Sequence, residues 1–275
     1  MVGPFYRGML MDENGLTYGV KQIGNKPRVS AMPYLYDIAE GNVSDHDVLR
    51  VLGYNGDVGN AEEDVWDAGA GYAFPAAGGI QMEVVSGSED DDGDPAGTGV
   101  NTVSIHYLDA NYAEQTETVT LNGTTAVATT ATDILRVNHF HSATVGSGGK
   151  AAGNISLRAT ADTPVYAQIT AGNNNALSGV WTVPAGKTAY IVCWTIGAAG
   201  GNKDAKFILK ATCSITGTLT SGIFQAIDIG VLEDAGVHIP FEVPVKVPAT
   251  GDIKISVVSA AQSAKCSASF EGWYE

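Results

Sequence analysis

Charged residues are scarce in this chain of 275 residues, at 16% of the total, which does not favour helices laced with surface ion pairs. Cysteine is scarce too: Cys193, Cys213 and Cys266 are an odd number at wide spacing. The strands that carry Cys193 and Cys213 are interpreted as hairpin partners around Gly200–Gly201. That register holds the two cysteines too far apart for a disulfide, which needs Cα atoms within about 7 Å. We therefore expect three reduced cysteines in the core.

Basic residues and long apolar runs are also in short supply. Fifteen Lys and Arg stand against thirty Asp and Glu, giving a net charge of −15. A phosphate polymer would be repelled, so no nucleic-acid partner is expected. No apolar run approaches the roughly 20 residues that cross a bilayer, and the first residues lack the basic and apolar regions of a signal peptide. We expect neither membrane association nor Sec export.

Catalytic and cofactor-binding motifs are missing. The sequence has no G-x-S-x-G, no G-x-x-x-x-G-K-[ST], and no G-x-G-x-x-G placed between a strand and a helix, the patterns of nucleophile elbows and phosphate loops. The sequence therefore predicts a protein that is not an enzyme, with no catalytic residue and no cofactor.

Two clusters could hold a metal. The acidic run at 89–94 lacks the 12-residue order of an EF-hand, and is interpreted as a solvated loop that blunts a strand end. His139 and His141 are two residues apart in the sequence and share a strand face, and His106 is a candidate for a third ligand. They are interpreted as ordinary sheet-face histidines, so no metal is predicted.

Glycine, by contrast, is abundant, with 34 residues, and from residue 78 short alternating segments are separated by Gly, Asn or Pro turns. This pattern predicts an all-β fold, an antiparallel β-sandwich or jelly roll. It is either one domain over 78–275 or two tandem units over 78–170 and 171–275. In its clearest hairpin Val103 and Val119 share a face, and Asn111 is the candidate for positive φ.

Residues 1–77 carry many aromatics and few regular strands, and are predicted to form an extended N-terminal arm. One helical turn or more is expected over 44–53, with Ser44 as N-cap. Aromatic side chains on such an arm are typical of packing rather than disorder. We expect an interface with the chain's own sandwich and with a neighbouring subunit at Tyr34, Tyr36, Trp66, Tyr72 and Phe74. The alternative is that the segment only covers an open edge of its own sheet.

Several segments together resemble a group of virion structural proteins of tailed bacteriophages from marine and fresh water. They are "PYLYDIAEGNVSDHDVLRVLGYNGDVGNAEEDVWDAGAGYAFP", "MEVVS", "TETVTLNGTTAV", "ILRVNH" and the terminal "SASFEGWYE". The resemblance covers most of the chain as a serial pattern and contains no catalytic signature.

The resemblance implies a component of the virus particle. An arm followed by a β-sandwich also looks like capsid decoration or cement proteins, which are commonly homotrimers. The expected partners are then other copies of this chain and the major capsid protein. The expected location is the capsid surface of the virion, assembled in the host cytoplasm. The alternatives are a tail, neck or fibre protein, or a carbohydrate-binding receptor module. The candidate sugar platform of such a module comprises Trp66, Tyr72, Phe74, Trp181, Trp194, Trp273 and Tyr274.

Overall fold

The computed structural model describes residues 34–200, 204–260 and 263–275 in full, and the backbone of four short strands before them. Its contacts divide the chain into two units, 1–44 and 45–275. The elements of the first unit are β1 (Met9–Met11), β2 (Thr17–Gly19), β3 (Gln22–Ile23), β4 (Lys26–Pro27) and α1 (Tyr34–Ala39), with β1 paired to β2 and β3 to β4. The rest of the arm predicted before residue 34 lies outside the described residues.

The second unit is built from antiparallel strands. They are β5 (Asp47–Val58), β6 (Glu63–Asp64), β7 (Met82–Ser86), β8 (Val100–Leu108), β9 (Glu114–Thr120), β10 (Val127–Ala128), β11 (Arg136–Val145), β12 (Ile155–Ala159), β13 (Val165–Ile169), β14 (Val180–Thr182), β15 (Ala189–Ala199), β16 (Ala205–Ala211), β17 (Gln225–Leu232), β18 (Gly236–Val247), β19 (Asp252–Ser259) and β20 (Ala264–Tyr274). The all-β antiparallel prediction is confirmed. In the described part of the chain, no helix is long and apolar enough to cross a membrane.

The first sandwich is formed by a sheet of order β10-β7-β12-β13 and a sheet of order β11-β8-β9. Side chains from both sheets form one hydrophobic core, in which Met82, Ile105, Phe140 and Leu157 are fully buried. The alternation of apolar and polar residues along β7 and β8 places these side chains on the inner face, as the period of two requires.

The second sandwich joins a sheet of order β18-β15-β20-β5 to a sheet of order β14-β19-β16-β17, with β6 paired to β19. Its core is separate from the first and centres on Trp194, Phe207 and Phe270, all fully buried. The first sandwich is therefore inserted in the sequence between β6 and β14 of the second.

The strand β5 replaces the helical turn that the sequence analysis expected over 44–53, and that expectation is wrong. Leu49 and Val51 enter the core of the second sandwich while Val48 and Leu52 are exposed, an alternation of period two that outweighs the capping signal. Residues 47–66, assigned to the arm, thus provide two strands of the second sandwich. Gly53 permits this close packing, because a Cβ there would lie 2.1 Å from the carbonyl oxygen of Val65.

The structure tests two expectations about the hairpin of β8 and β9, one on its register and one on its loop. Val103 does pair with Val119, but the loop residue with positive φ is Tyr112, at 60°, and not Asn111. The carboxylate of Asp109 sets this turn by accepting the N–H groups of Asn111 (2.8 Å) and Ala113 (3.0 Å).

The cysteine-bearing strands are not hairpin partners as expected, because β15 and β16 belong to opposite sheets of the second sandwich. Each strand is instead flanked by two partners from elsewhere in the chain, β18 and β20 for β15 and β17 and β19 for β16. The expectation of reduced, buried cysteines is confirmed at all three positions. Burial raises the pKa of the Cys213 and Cys266 thiols to about 11.

Candidate interaction surface

Three of the five predicted interface residues form an aromatic cluster inside the chain. The rings of Trp66 and Tyr72 meet edge to face at 5.1 Å, and those of Tyr72 and Phe74 at 4.9 Å. Phe74 continues the series by stacking on Phe224 at 5.7 Å. Trp66 and Tyr72 are 4% and 7% exposed, so their area is already buried by the same chain, and no large part of it is left for a neighbour.

Charged groups fix this cluster at the junction of the two sandwiches. The guanidinium of Arg136 on β11 lies 4.8 Å from the Phe74 ring centre, and the ammonium of Lys254 on β19 lies 4.8 Å from that of Phe224. The buried carboxylate of Asp64 accepts the Tyr72 N–H at 2.7 Å and the Lys254 ammonium at 2.9 Å. The irregular, Gly-rich and Ala-rich backbone at 64–75 is therefore explained by a joint within the subunit.

The other two predicted interface residues behave differently. Tyr34 and Tyr36 lie on α1 in the first unit and are 47% and 61% exposed. Aromatic area of this kind is available to a partner. They are the two members of the predicted set with exposed side chains, whereas Phe74 is partly buried.

The aromatic residues considered for a sugar platform are separated by the fold. Trp194 is fully buried and donates its indole N–H to Asp228 at 2.9 Å, and Trp181 is buried against Tyr274. Trp273 stacks on Tyr190 with the rings 5.0 Å apart. A row of open aromatic faces, which a sugar-binding platform needs, is not formed by these residues.

The acidic loop is not simply solvated, because Asp91 turns inward and is fully buried. Its carboxylate accepts the N–H groups of Val100 (2.7 Å), Ala152 (2.9 Å) and Gly153 (2.9 Å) and the hydroxyl of Ser86 (2.6 Å). Asp91 thereby ties the loop to β7, to β8 and to the segment before β12. The expectation of a wholly solvated loop is wrong at this residue.

The structure brings His106 beside His139 and His141, on the outer face of β8 and β11. Their ring centres are 4.8 to 5.7 Å apart. Desolvation by the surrounding strands, and repulsion from His141 and His106, lower the pKa of His139 to about 4. In the described ranges, no group of three or more His, Cys, Asp or Glu side chains is arranged to hold a metal ion.

The largest feature that sequence reasoning missed is an exposed apolar segment at 215–243. It comprises the loop before β17 and the strands β17 and β18, which form edges of the two sheets of the second sandwich. Its exposed side chains are Ile215, Leu219, Ile223, Ile229, Val231, Val237 and Val243. In the sequence these strands look like core strands, because apolar residues lie on both faces. Only their position at the sheet edges exposes them.

β17 and β18 lie on the same side of the sandwich. Gly230 of β17 packs against the side chains of Ile196 on β15 and Ile239 on β18, and a Cβ at Gly230 would lie 2.3 Å from one of them. An apolar surface on two neighbouring edge strands is the kind of feature that marks a protein contact.

No family model matches this chain. None of the curated proteins matches it either. Among solved structures, a crystal structure of the infectious bursal disease virus VP2 subviral particle is aligned at 11% identity over 89% of this chain and 82% of that chain. Its TM-score of 0.13 is too low to support an argument about fold or function.

Proposed function

We propose that this chain is a non-enzymatic virion structural protein of a tailed bacteriophage, and that it decorates and stabilises the assembled capsid. The proposal rests on the resemblance of its segments to such proteins. The observation that supports it best is the exposed apolar segment at 215–243 of the second sandwich. A surface of this kind serves protein contacts and needs no deep cleft or reacting group.

Attachment would stabilise the capsid by mass action. A protein that binds the junctions between coat subunits, and binds separate subunits less well, shifts the balance toward the closed shell. Several copies joined as a homo-oligomer, as the resemblance implies, bind together and raise the apparent affinity without any new contact. The major capsid protein is the expected partner.

Apolar contact should dominate over charge in this attachment. Each large side chain of the segment contributes about 1.5 to 3 kcal/mol when it is fully buried, before the cost of ordering. The chain has a net charge of −15, so a purely electrostatic attachment would weaken steeply with salt. We expect attachment to change little between low and high salt.

The test is the copy number of the protein in purified particles, together with heat resistance. A decoration protein is present in hundreds of copies per particle, and particles stripped of it lose their contents at lower temperature until the purified protein is added back. A few copies at one end of the particle would instead establish the tail, neck or fibre alternative. Absence from the particle would contradict the proposed function altogether.

A second experiment separates the two candidate contact surfaces. Ile223→Lys with Val243→Lys places charge on the exposed apolar segment, and Tyr34→Ser with Tyr36→Ser removes the exposed aromatics of α1. All four positions are exposed, and the melting temperature of each variant checks that the fold is retained. We expect the first pair to reduce binding to stripped particles more than the second.

A further inference from the structure

The edge strand β17 is open on one side. It pairs with β16 alone, and in the part of the chain that the structure describes no strand lies along its other edge. An unpaired edge of eight residues presents backbone N–H and C=O groups that can pair with another chain. Its exposed side chains on the outer face, Ile229 and Val231, are both β-branched and suit a sheet.

Other long edge strands of the molecule are covered by a neighbouring segment or carry charged residues. The N–H of Tyr54 on β5 donates to Leu177 at 3.3 Å, and the carbonyl of Phe140 on β11 accepts from Ala176 at 2.8 Å. The edge strand β9 carries Glu114 and Glu117. Segments laid along an edge and charged side chains both prevent edge-to-edge pairing.

Features of its own sequence make the neighbouring edge strand β18 unsuitable for pairing with another strand. It carries Pro240 and Pro244, which lack an N–H, and its pairing with β15 shifts between Ile191 and Cys193. Proline and a bulge are further devices that close an edge. β17 has neither proline nor a charge on its outer face.

The one charged residue of β17, Asp228, is engaged within the chain. One carboxylate oxygen accepts the indole N–H of Trp194 at 2.9 Å, and the other accepts the N–H of Ile229 at 2.9 Å. Two copies of a chain with a net charge of −15 repel each other over most of their surface. Along β17 they can approach without bringing outward-facing carboxylates together.

We propose that the β17 edge pairs antiparallel with the β17 edge of a second copy, about a two-fold axis at Gly230. This register places Ile229 opposite Val231 of the other copy twice, and joins two sheets into one. Opposed β-branched pairs on one face stabilise antiparallel strands, and an isologous contact of this kind links copies in twos. A trimer formed through another surface would be linked into a hexamer. The inference names a partner surface for the proposed function and rests on it for its role in the particle.

Cysteine cross-linking tests the register directly. Ile229→Cys and Val231→Cys are made in separately tagged chains, which are mixed and oxidised. Opposed residues in this register have Cα atoms about 4.5 to 5.5 Å apart, within the range of a disulfide, whereas each position is two residues out of register with itself. The native cysteines are buried and give a low background. We expect mixed dimers and little self-linked dimer of either chain.

A charge variant tests the contact without cross-linking. Ile229→Lys with Val231→Lys should shift the protein toward the unpaired mass in sedimentation, because lysine blocks strand edges. The control, Val48→Lys with Leu52→Lys, adds the same charge at exposed positions of β5, outside both β17 and the apolar segment at 215–243, and should leave the mass unchanged. A wild-type protein without this association, equal effects of the two variants, or efficient self-linking of Ile229→Cys would each overturn the inference.

The outcome is separable from that of the proposed function. If unpaired copies decorate capsids, the β17 pairing is wrong and the proposed function still holds. Cross-linked pairs that are absent from particles would support the pairing and reject the function.

Discussion

Arg136 and Asp252 form a two-pronged ion pair that links the two sandwiches. Nε and Nη2 of the arginine on β11 lie 2.7 and 3.1 Å from the two carboxylate oxygens of the aspartate on β19. The hydroxyl of Thr182 donates to the same carboxylate at 2.6 Å. Both charged side chains are largely buried, at 12% and 8% exposed. The two buried charges therefore compensate each other.

Arg136→Ala should destabilise the protein by about 3 kcal/mol or more, because removing one partner leaves a buried charge without compensation. Urea unfolding followed by tryptophan fluorescence measures the loss. The matched control is Arg50→Ala, which breaks the exposed pair with Glu271 and should cost less than about 1 kcal/mol. Equal losses in the two variants would show that burial does not set the strength of the junction.

Asp91→Asn should also be strongly destabilising. The carboxylate accepts three backbone N–H groups and one hydroxyl, and an amide replaces one of its acceptor oxygens with a donor. Leaving buried donors unpaired costs about 1 to 3 kcal/mol each, so we expect a loss of at least about 2 kcal/mol in thermal or urea unfolding. Asp94→Asn, in the exposed part of the same loop, should leave the unfolding curve in place. A silent Asp91→Asn would contradict the structural role.

The all-β class and several registers follow from the sequence because they depend on local alternation. Val103 and Val119 could be paired from parity alone, since side chains in strands point to alternate faces. The same parity holds at Leu49 and Val51, where the capping pattern that begins at Ser44 predicts a helical turn instead. Capping signals are short and weak against the burial of a whole strand face.

The exposed apolar segment at 215–243 could not be predicted from the sequence in the same way, because edge strands and core strands have similar sequences. Ile229 and Val231 of β17 are as apolar as Ile253 and Ile255 of β19, yet the first pair is exposed and the second is fully buried. The difference arises from the order of strands in the sheet, which joins segments far apart in the chain. For the same reason the sequence predicts that Trp66 and Tyr72 contact both the chain's own sandwich and a neighbouring subunit, and does not reveal that Arg136 and Lys254 hold their cluster within the chain.

Trp66→Ala should lower the stability of the protein, whereas Tyr36→Ala should affect attachment without changing stability. Trp66 is buried, and removing a large buried aromatic costs about 3 to 5 kcal/mol, so its variant should unfold at lower temperature whatever its effect on attachment. Tyr36 is exposed, and a surface change costs within about 0.5 kcal/mol. If Tyr36 contacts a partner, its variant keeps the wild-type melting temperature and binds stripped particles less well. A stable Trp66→Ala protein that fails to attach would restore Trp66 to the interface.

Acid should destabilise the protein through His139. Its pKa is lowered to about 4 by desolvation, although part of the side chain remains exposed, and by repulsion from His141 and His106; the ordinary value is about 6.5. Between these two values the unfolded chain binds a proton that the folded chain does not, so the free energy of unfolding falls as the pH falls through this window. We expect the melting temperature of His139→Gln to drop less than that of the wild type between pH 7 and pH 4.5.

Asp67 acts in the opposite sense and makes the comparison between variants necessary. Burial raises its pKa to about 6, against the hydrogen bond from the Leu177 N–H, so the folded chain takes up this proton first and gains stability as the pH falls toward 4. The two contributions offset each other in the wild-type curve. Their separation requires Asp67 to be unchanged in both proteins, so that its contribution cancels in the difference between the wild type and His139→Gln. If the melting temperatures of these two proteins fell in parallel between pH 7 and pH 4.5, the histidine cluster would not couple protonation to folding.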